Sequence, residues 1–114
     1  MPKRDSDLLM EDILEAVRKI SRYTDGMAQS DFLQDEKTID AVVRNLEVVG
    51  EATRHLPEDF ISRHPDVPWR QIAGLRNRIV HEYFGLDLEI IWQVIRHDLP
   101  TLQARLERAS PERT

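Results

Sequence analysis

The segment from Arg76 to Phe84, RNRIVHEYF, brings together side chains that can act on a phosphodiester. Arg76 carries a permanent planar cation, and His81 carries an imidazole that titrates near neutral pH. An imidazole can take a proton from a ribose 2′-hydroxyl or give one to a leaving 5′-oxygen. A guanidinium can stabilise the negative charge that builds on the phosphate oxygens. If these two groups converge, they could cleave RNA without a metal ion.

The spacing within this segment restricts which side chains can meet. On a regular helix successive residues are about 100° apart, so Asn77 and Arg78 share a face with His81. Asn77 could orient the imidazole or bind substrate, and Arg78 is a second candidate substrate contact. Arg76 lies about 140° around the axis from His81. Their convergence requires the long reach of arginine, a bent last turn near Gly85, or a second copy of the segment across a dimer axis.

Purely structural interpretations stay open beside the chemical ones. A histidine near a helix end, such as His81, is often only a favourable charge for the helix dipole. Tyr83 is equally explained as a core or interface aromatic. Glu47 and Glu51, one turn apart, could act as an acid and base pair, or form a solvated face with neighbouring arginines.

Hydrophobic periodicity predicts the helices that position the segment. The predicted helices run from Ser6 to about Thr24, from a cap at Ser30 or Asp35 to before Pro57, from Trp69 to about Gly85, and from Asp87 onward. RNRIVHEYF therefore occupies the later turns of the third helix. Trp69 and Trp92 fall on apolar stripes, so they are expected in the core and not as a platform for stacked bases.

No segment alternates with the period of two that strands require. The sequence predicts an all-α fold, an up-and-down four-helix bundle with a short helical insert between Pro57 and Pro68. Residues 1–114 are expected to form one domain with a frayed tail from about residue 109. Pro100 is expected to kink or break the last helix, because it lacks an N–H and pushes Leu99 away from helical angles.

Composition excludes several classes of protein. The chain is 40% apolar and 32% charged, with no apolar run near the roughly 20 residues that cross a bilayer. Acidic residues interrupt any signal peptide at the start, so a cytoplasmic location is expected. The absence of cysteine excludes disulfides and cysteine-based metal or nucleophile chemistry. Because His55, His64 and His97 occur singly, neither a metal nor another cofactor is expected.

The net charge of −5 is unevenly distributed along the chain. Residues 1–60 hold 14 acidic and 8 basic side chains, whereas residues 61–114 hold 7 and 8. This balance argues against broad, sequence-independent nucleic-acid binding, and no DNA partner is expected. Between residues 61 and 81, four arginines face a single aspartate, which favours one focused phosphate site.

Three collinear blocks of this chain resemble the HepT-like toxins of the HEPN superfamily, found in prokaryotes. The blocks are RNLEVVGEA at residues 44–52, VPWRQIAGLRNRIVHEYF at residues 67–84, and DLPTL at residues 98–102. The family motif of arginine, four residues, histidine, one residue and tyrosine is met at Arg76, His81 and Tyr83. With the intervening helices, the resemblance covers nearly the whole chain.

The resemblance implies a toxin endoribonuclease in which Arg76 and His81 cleave RNA without a metal ion. It also implies a homodimer whose two copies build one composite cleft, and an RNA substrate, with transfer RNA as one substrate class of the family. The implied antitoxin is a nucleotidyltransferase that adds AMP to Tyr83. An alternative interpretation is a non-catalytic helical binding module that partners a nucleotidyltransferase.

Overall fold

The computed structural model describes residues 6–74 and 88–109, and every regular element in these two ranges is helical. The elements are α1 at Ser6–Thr24, α2 at Gln29–Leu33, α3 at Glu36–Arg54, α4 at Glu58–Arg63, α5 with its described part at residues 69–74, α6 at Leu88–Gln93, a π-helical turn at Val94–Asp98, and α7 at Leu99–Ala109. The predicted all-α class is confirmed, whereas the up-and-down four-helix order stays a prediction. None of these described helices is long and apolar enough to cross a membrane.

The first predicted helix is confirmed with the expected bounds. Apolar residues at spacings of three and four place one face of α1 in the core, including Ile13, Val17 and Ile20. After Thr24 the chain turns through Gly26, whose φ of 79° is in the left-handed region that ends many helices. A residue with a Cβ would be strained at this position.

Asp35, and not Ser30, caps the long helix α3. Its carboxylate accepts a hydrogen bond from the backbone N–H of Thr38 at 3.1 Å, which satisfies one of the free donors of the first turn. Ser30 lies instead within α2, a short helix that the sequence did not predict. Hydrogen bonds from the backbone and the side chain of Thr38 hold the pKa of Asp35 below its ordinary value of 3.8.

This cap predicts a pH-dependent contribution to stability. Because the folded-state pKa of Asp35 is lowered, the contribution is present above the unfolded value and is lost as the pH falls through the folded value. Asp35→Ala should lower the Tm at neutral pH, and the difference from the wild type should shrink under acid. Thermal unfolding followed by circular dichroism between about pH 7 and about pH 2 measures this difference.

Asp35→Asn is the matched control, because its side-chain oxygen accepts the same hydrogen bond without a titrating charge. Its Tm should stay near that of the wild type at neutral pH. A deficit of Asp35→Ala that is as large in acid as at neutral pH would contradict the assigned role of the carboxylate.

The buried apolar side chains of the described helices form one cluster. The most extensive helix contact joins α1 to α3, α7 packs against α1, and α2 packs against α3 and α6. Phe32 of α2 is fully buried, and its ring centroid lies 5.3 Å from that of Trp92. Burying a side chain of this kind contributes about 1.5–3 kcal/mol. The short helix α2 is thereby fixed to the helix that follows the RNRIVHEYF segment.

Both tryptophans belong to this core, as predicted. Trp69 and Trp92 are only 7% and 6% exposed, so neither ring offers a face on which a base could stack. The indole N–H of Trp69 donates to the backbone carbonyl of His64 at 2.9 Å, which satisfies its one polar atom.

The last helix continues through Pro100, so the predicted break does not occur. Leu99 has helical angles, φ −63° and ψ −40°, and the prediction that it leaves the helical region was wrong. Its N–H donates to the carbonyl of Val94, five residues earlier. This π-helical turn changes the hydrogen-bond register just before a residue that has no N–H and whose ring would crowd the carbonyl of Arg96. The helix therefore accommodates the proline by a local change of hydrogen-bond register.

Polar side chains hold α7 along α1. Arg18 donates from Nε and Nη2 to one carboxylate oxygen of Glu107, at 3.2 and 3.0 Å. One turn further along α1, the Ser21 hydroxyl donates to the side-chain oxygen of Gln103 at 3.0 Å. These bonds fix how α7 is rotated against α1. They therefore determine which polar side chains of α7 lie on the face that points away from α1.

Candidate functional site

The predicted site residues all fall in residues 75–87, between the described part of α5 and α6. Arg76, Asn77, Arg78, His81 and Tyr83 lie outside the described residues. Their mutual arrangement therefore stays a prediction.

The described residues on either side of this range are anchored in the core. On the α5 side, Ile72 is 1% exposed and Trp69 is held by its hydrogen bond to His64. On the α6 side, Ile91 and Trp92 are both buried. The described chain on both sides of residues 75–87 is therefore held in well-packed helices.

A cleft of about 670 Å³ lies between α5 and the last helix. We call it the α5–α7 cleft; its lining residues are Pro68, Gln71, Ile72, Gly74, Val94, His97, Asp98, Leu99, Thr101, Leu102 and Arg105. The floor is apolar, with Ile72, Leu99 and Leu102 buried. The rim is polar, and it includes Thr101 and the half-buried Arg105. The cleft starts at Gly74, two residues before Arg76 in the sequence.

These polar rim residues were not singled out from the sequence. The sequence signal that could have found them is the spacing of four between His97, Thr101 and Arg105, which places them on one helical face. This spacing does not reveal the second wall of the cleft, because Gln71 and Gly74 belong to a different helix.

A second cavity of about 500 Å³ lies between α1 and α3. We call it the α1–α3 groove; its lining residues are Leu9, Asp12, Arg44, Glu47, Val48, Glu51, Ala52 and His55. Its acidic side chains outnumber its one arginine by three to one. A phosphate would be repelled from such a surface.

Glu51 in this groove is engaged with its helical neighbours. Its carboxylate oxygens lie 3.5 Å from Nη1 of Arg54 and 3.0 Å from Nε2 of His55. These spacings of three and four residues are those of ion pairs on a solvated helix face. The arrangement favours the structural interpretation of Glu51 over an acid and base role. Among the described residues, no group of three or more histidine, aspartate or glutamate side chains could hold a metal ion.

Comparison with known proteins identifies the class to which this chain belongs. The model of the family described as ribonuclease HepT-like matches residues 13–109. The chain therefore belongs to the HepT-like ribonuclease family. The matched range contains the whole RNRIVHEYF segment and both walls of the α5–α7 cleft.

Individual relatives agree with this assignment. The chain is 47% identical over 100 residues to a Methanocaldococcus jannaschii protein named as a candidate RNase, covering 88% of this chain and 83% of the relative. It is 41% identical over 106 residues to a Thermococcus cleftensis protein named probable ribonuclease HepT, covering 93% and 96%. A third relative from M. jannaschii, named as a gamma-glutamylcyclotransferase and candidate RNase, is 32% identical over 110 residues, which cover 96% of this chain and 50% of that protein. No solved structure gives a significant match.

The predicted resemblance to the HepT-like proteins is thus confirmed, and with it the ribonuclease class of enzyme. The individual roles of residues 76–83 are not settled by family membership.

Proposed function

We propose that this protein is a toxin endoribonuclease that cleaves RNA without a metal ion and is silenced by a nucleotidyltransferase antitoxin. The observation that carries the proposal is the family match over residues 13–109, which includes an intact arginine, histidine and tyrosine motif at Arg76, His81 and Tyr83. The proposal includes a cytoplasmic location, where the protein would meet both the RNA and the antitoxin.

The proposed chemistry assigns one task to each side chain of the motif. His81 takes the proton from the 2′-hydroxyl, or gives one to the 5′-oxygen that leaves. Arg76 donates hydrogen bonds to the phosphate oxygens as their charge grows in the transition state. Asn77 and Arg78 orient the imidazole or bind the substrate.

A homodimer resolves the geometric difficulty of the motif. Arg76 and His81 point about 140° apart on an ideal helix, so one helix does not easily aim both at the same phosphate. Two copies related by a two-fold axis present the same surface to each other, so a guanidinium from one subunit can meet an imidazole from its partner. We therefore propose that Arg76 and His81 act in a composite catalytic cleft, which is built by both subunits and is separate from the α5–α7 cleft.

Tyr83 is the proposed regulatory site. Addition of AMP from ATP to its hydroxyl forms a phosphodiester and releases pyrophosphate. The product places a bulky anion two residues from His81 in the sequence. There it would fill the composite catalytic cleft and repel the substrate phosphate. The modified toxin should therefore lose ribonuclease activity.

This modification gives a direct test, because the chain contains only two tyrosines. After co-expression with the nucleotidyltransferase encoded beside it, the protein should gain the mass of one AMP group. Tyr83→Phe should gain none. The matched control is Tyr23→Phe, which removes a tyrosine that is 40% exposed on α1 and should still be modified.

Intact-mass spectrometry of the three proteins measures the outcome. Modification that persists in Tyr83→Phe, or that disappears in Tyr23→Phe, would contradict the assignment of Tyr83. Wild-type protein that cleaves RNA equally well before and after modification would contradict the regulatory role.

A further inference from the structure

The α5–α7 cleft lies close in the chain to the proposed catalytic arginine. Gly74 lines the cleft and precedes Arg76 by two residues. Two peptide units span less than about 8 Å in any conformation, so the cleft begins within one nucleotide's length of that residue. An added Cβ at Gly74 would meet no atom within 4 Å, so the lining has free space beside this residue.

The lining of the cleft suits a single nucleotide. Its volume of about 670 Å³ falls within the range of small-molecule pockets. The partly exposed Pro68 and Val94 provide apolar surface for the face of a base, above the buried side chains of Ile72, Leu99 and Leu102. The exposed Gln71 and Thr101 at the rim provide amide and hydroxyl groups for its edge. Single-stranded RNA exposes bases that are turned out of the stack, and proteins recognise them in part by hydrogen bonds to their edges.

Charge distinguishes this cleft from the other cavity. Among the described residues that line the cleft there is one carboxylate, Asp98, together with Arg105 and His97. The α1–α3 groove contains three carboxylates. Of the two cavities, the α5–α7 cleft is thus the one that a phosphate can enter without strong repulsion.

Arg105 is the cation best placed to hold that phosphate. Several other arginines are engaged with acids, such as Arg18 with Glu107 and Arg108 with Asp66. Within residues 6–74 and 88–109, no carboxylate lies within ion-pair distance of Arg105, and its side chain is half-buried at the rim. A guanidinium in this position can donate two hydrogen bonds to one phosphate.

We propose that the α5–α7 cleft is a substrate subsite for single-stranded RNA, binding a nucleotide that flanks the scissile phosphate. The base lies against the partly exposed apolar surface of Pro68 and Val94, and Arg105 binds the backbone phosphate. This inference rests on the proposed ribonuclease function. It makes Arg105 a substrate-binding residue and leaves the bond-breaking steps to Arg76 and His81.

Binding of uncleaved RNA tests the subsite. In a His81→Ala background, a fluorescein-labelled single-stranded RNA of mixed sequence should bind about 10-fold more weakly to Arg105→Gln, because one charged hydrogen-bonding group is lost. The slope of log affinity against log salt should fall by about 0.7. Fluorescence anisotropy at several salt concentrations measures both quantities.

Arg54→Gln is the matched control. It removes the same charge from a side chain that is 53% exposed and lies outside the cleft. Its affinity should stay within about twofold of the parent, since a distant exposed charge is screened by salt. Thr101→Trp is a second variant that fills the cleft from an exposed position of α7, and it should weaken binding at least as much as Arg105→Gln with an unchanged Tm.

The outcomes separate the subsite from the ribonuclease proposal. Normal RNA affinity of Arg105→Gln and Thr101→Trp would overturn the subsite, even if proteins with His81 cleave RNA. Weakened binding without any cleavage by proteins with His81 would support the subsite and overturn the ribonuclease proposal. If none of the proteins, including the parent, binds RNA, the subsite is also overturned. If Arg105→Gln and Thr101→Trp keep their RNA affinity but no longer form dimers, the subsite is overturned and the cleft is assigned to contact with another copy of the chain.

Discussion

His81→Ala should lower the rate of RNA cleavage by about 10²- to 10⁴-fold without changing the Tm. The imidazole is the only group of the motif that can exchange a proton near neutral pH, so alanine removes proton transfer while it leaves phosphate binding in place. Arg76→Ala should lower the rate by about 10²- to 10³-fold, because it removes donors that act on the developing charge. The described core contacts of α5 and α6 are made by other residues, including Ile72 and Trp92.

The assay uses purified protein freed of its partner, with RNA and EDTA, so that activity cannot come from a contaminating metal nuclease. His55→Ala is the matched control. It removes an exposed imidazole that lies 3.0 Å from the Glu51 carboxylate on α3, and it should cleave like the wild type. Equal cleavage by the wild type and His81→Ala would remove His81 from the mechanism.

Expression in cells separates the toxin from the non-catalytic module. A ribonuclease should be toxic when it is expressed alone, and His81→Ala should relieve the toxicity. Harmless expression of the wild type, with stable binding to the nucleotidyltransferase, would instead favour the binding module.

The long helices could be predicted because their sequence repeats the same signal several times. α1 extends from Ser6 to Thr24, as its apolar stripe indicated, and the sequence offered Asp35 as one of two caps for α3. By contrast, α2 has five residues and a single buried anchor, Phe32. One apolar residue has no period, so a helix that depends on one tertiary contact leaves no pattern to detect.

Pro100 shows where a local rule gives the wrong structure. The missing N–H and the restriction on Leu99 predicted a kink or a break, with Leu99 outside the helical region, and both effects are real for an isolated helix. In the protein, Leu99 and Leu102 are buried in the core, and their packing favours a continuous helix. The π-helical turn before the proline accommodates it at the level of hydrogen bonds. Tertiary packing thus overrides a backbone preference that sequence reasoning treats as decisive.

The candidate site also has one part that local sequence patterns predict and one part that depends on tertiary packing. Residue types and spacing indicate Arg76 and His81 as candidates, and the resemblance to the HepT-like motif adds Tyr83, because a motif is read along one stretch of chain. The α5–α7 cleft combines Gln71 of α5 with Thr101 and Arg105 of α7, about 30 residues apart, and no local pattern connects them. A pocket built from distant segments becomes visible only when the helices are packed.

The central proposal is that Arg76 and His81 act together on one phosphate, with one group supplied by each subunit. Mixed dimers test it directly. In a dimer of one Arg76→Ala subunit and one His81→Ala subunit, a composite cleft still contains an intact arginine from one chain and an intact histidine from the other. A cleft built within a single subunit would be damaged in both copies.

The measurement is RNA cleavage by mixed dimers that carry two different affinity tags and are purified through both. We predict that each variant alone is nearly inactive and that the mixed dimer recovers up to about half of the wild-type activity, since one of two equivalent arrangements is intact. Mixed dimers as inactive as the single variants would contradict a site shared between subunits.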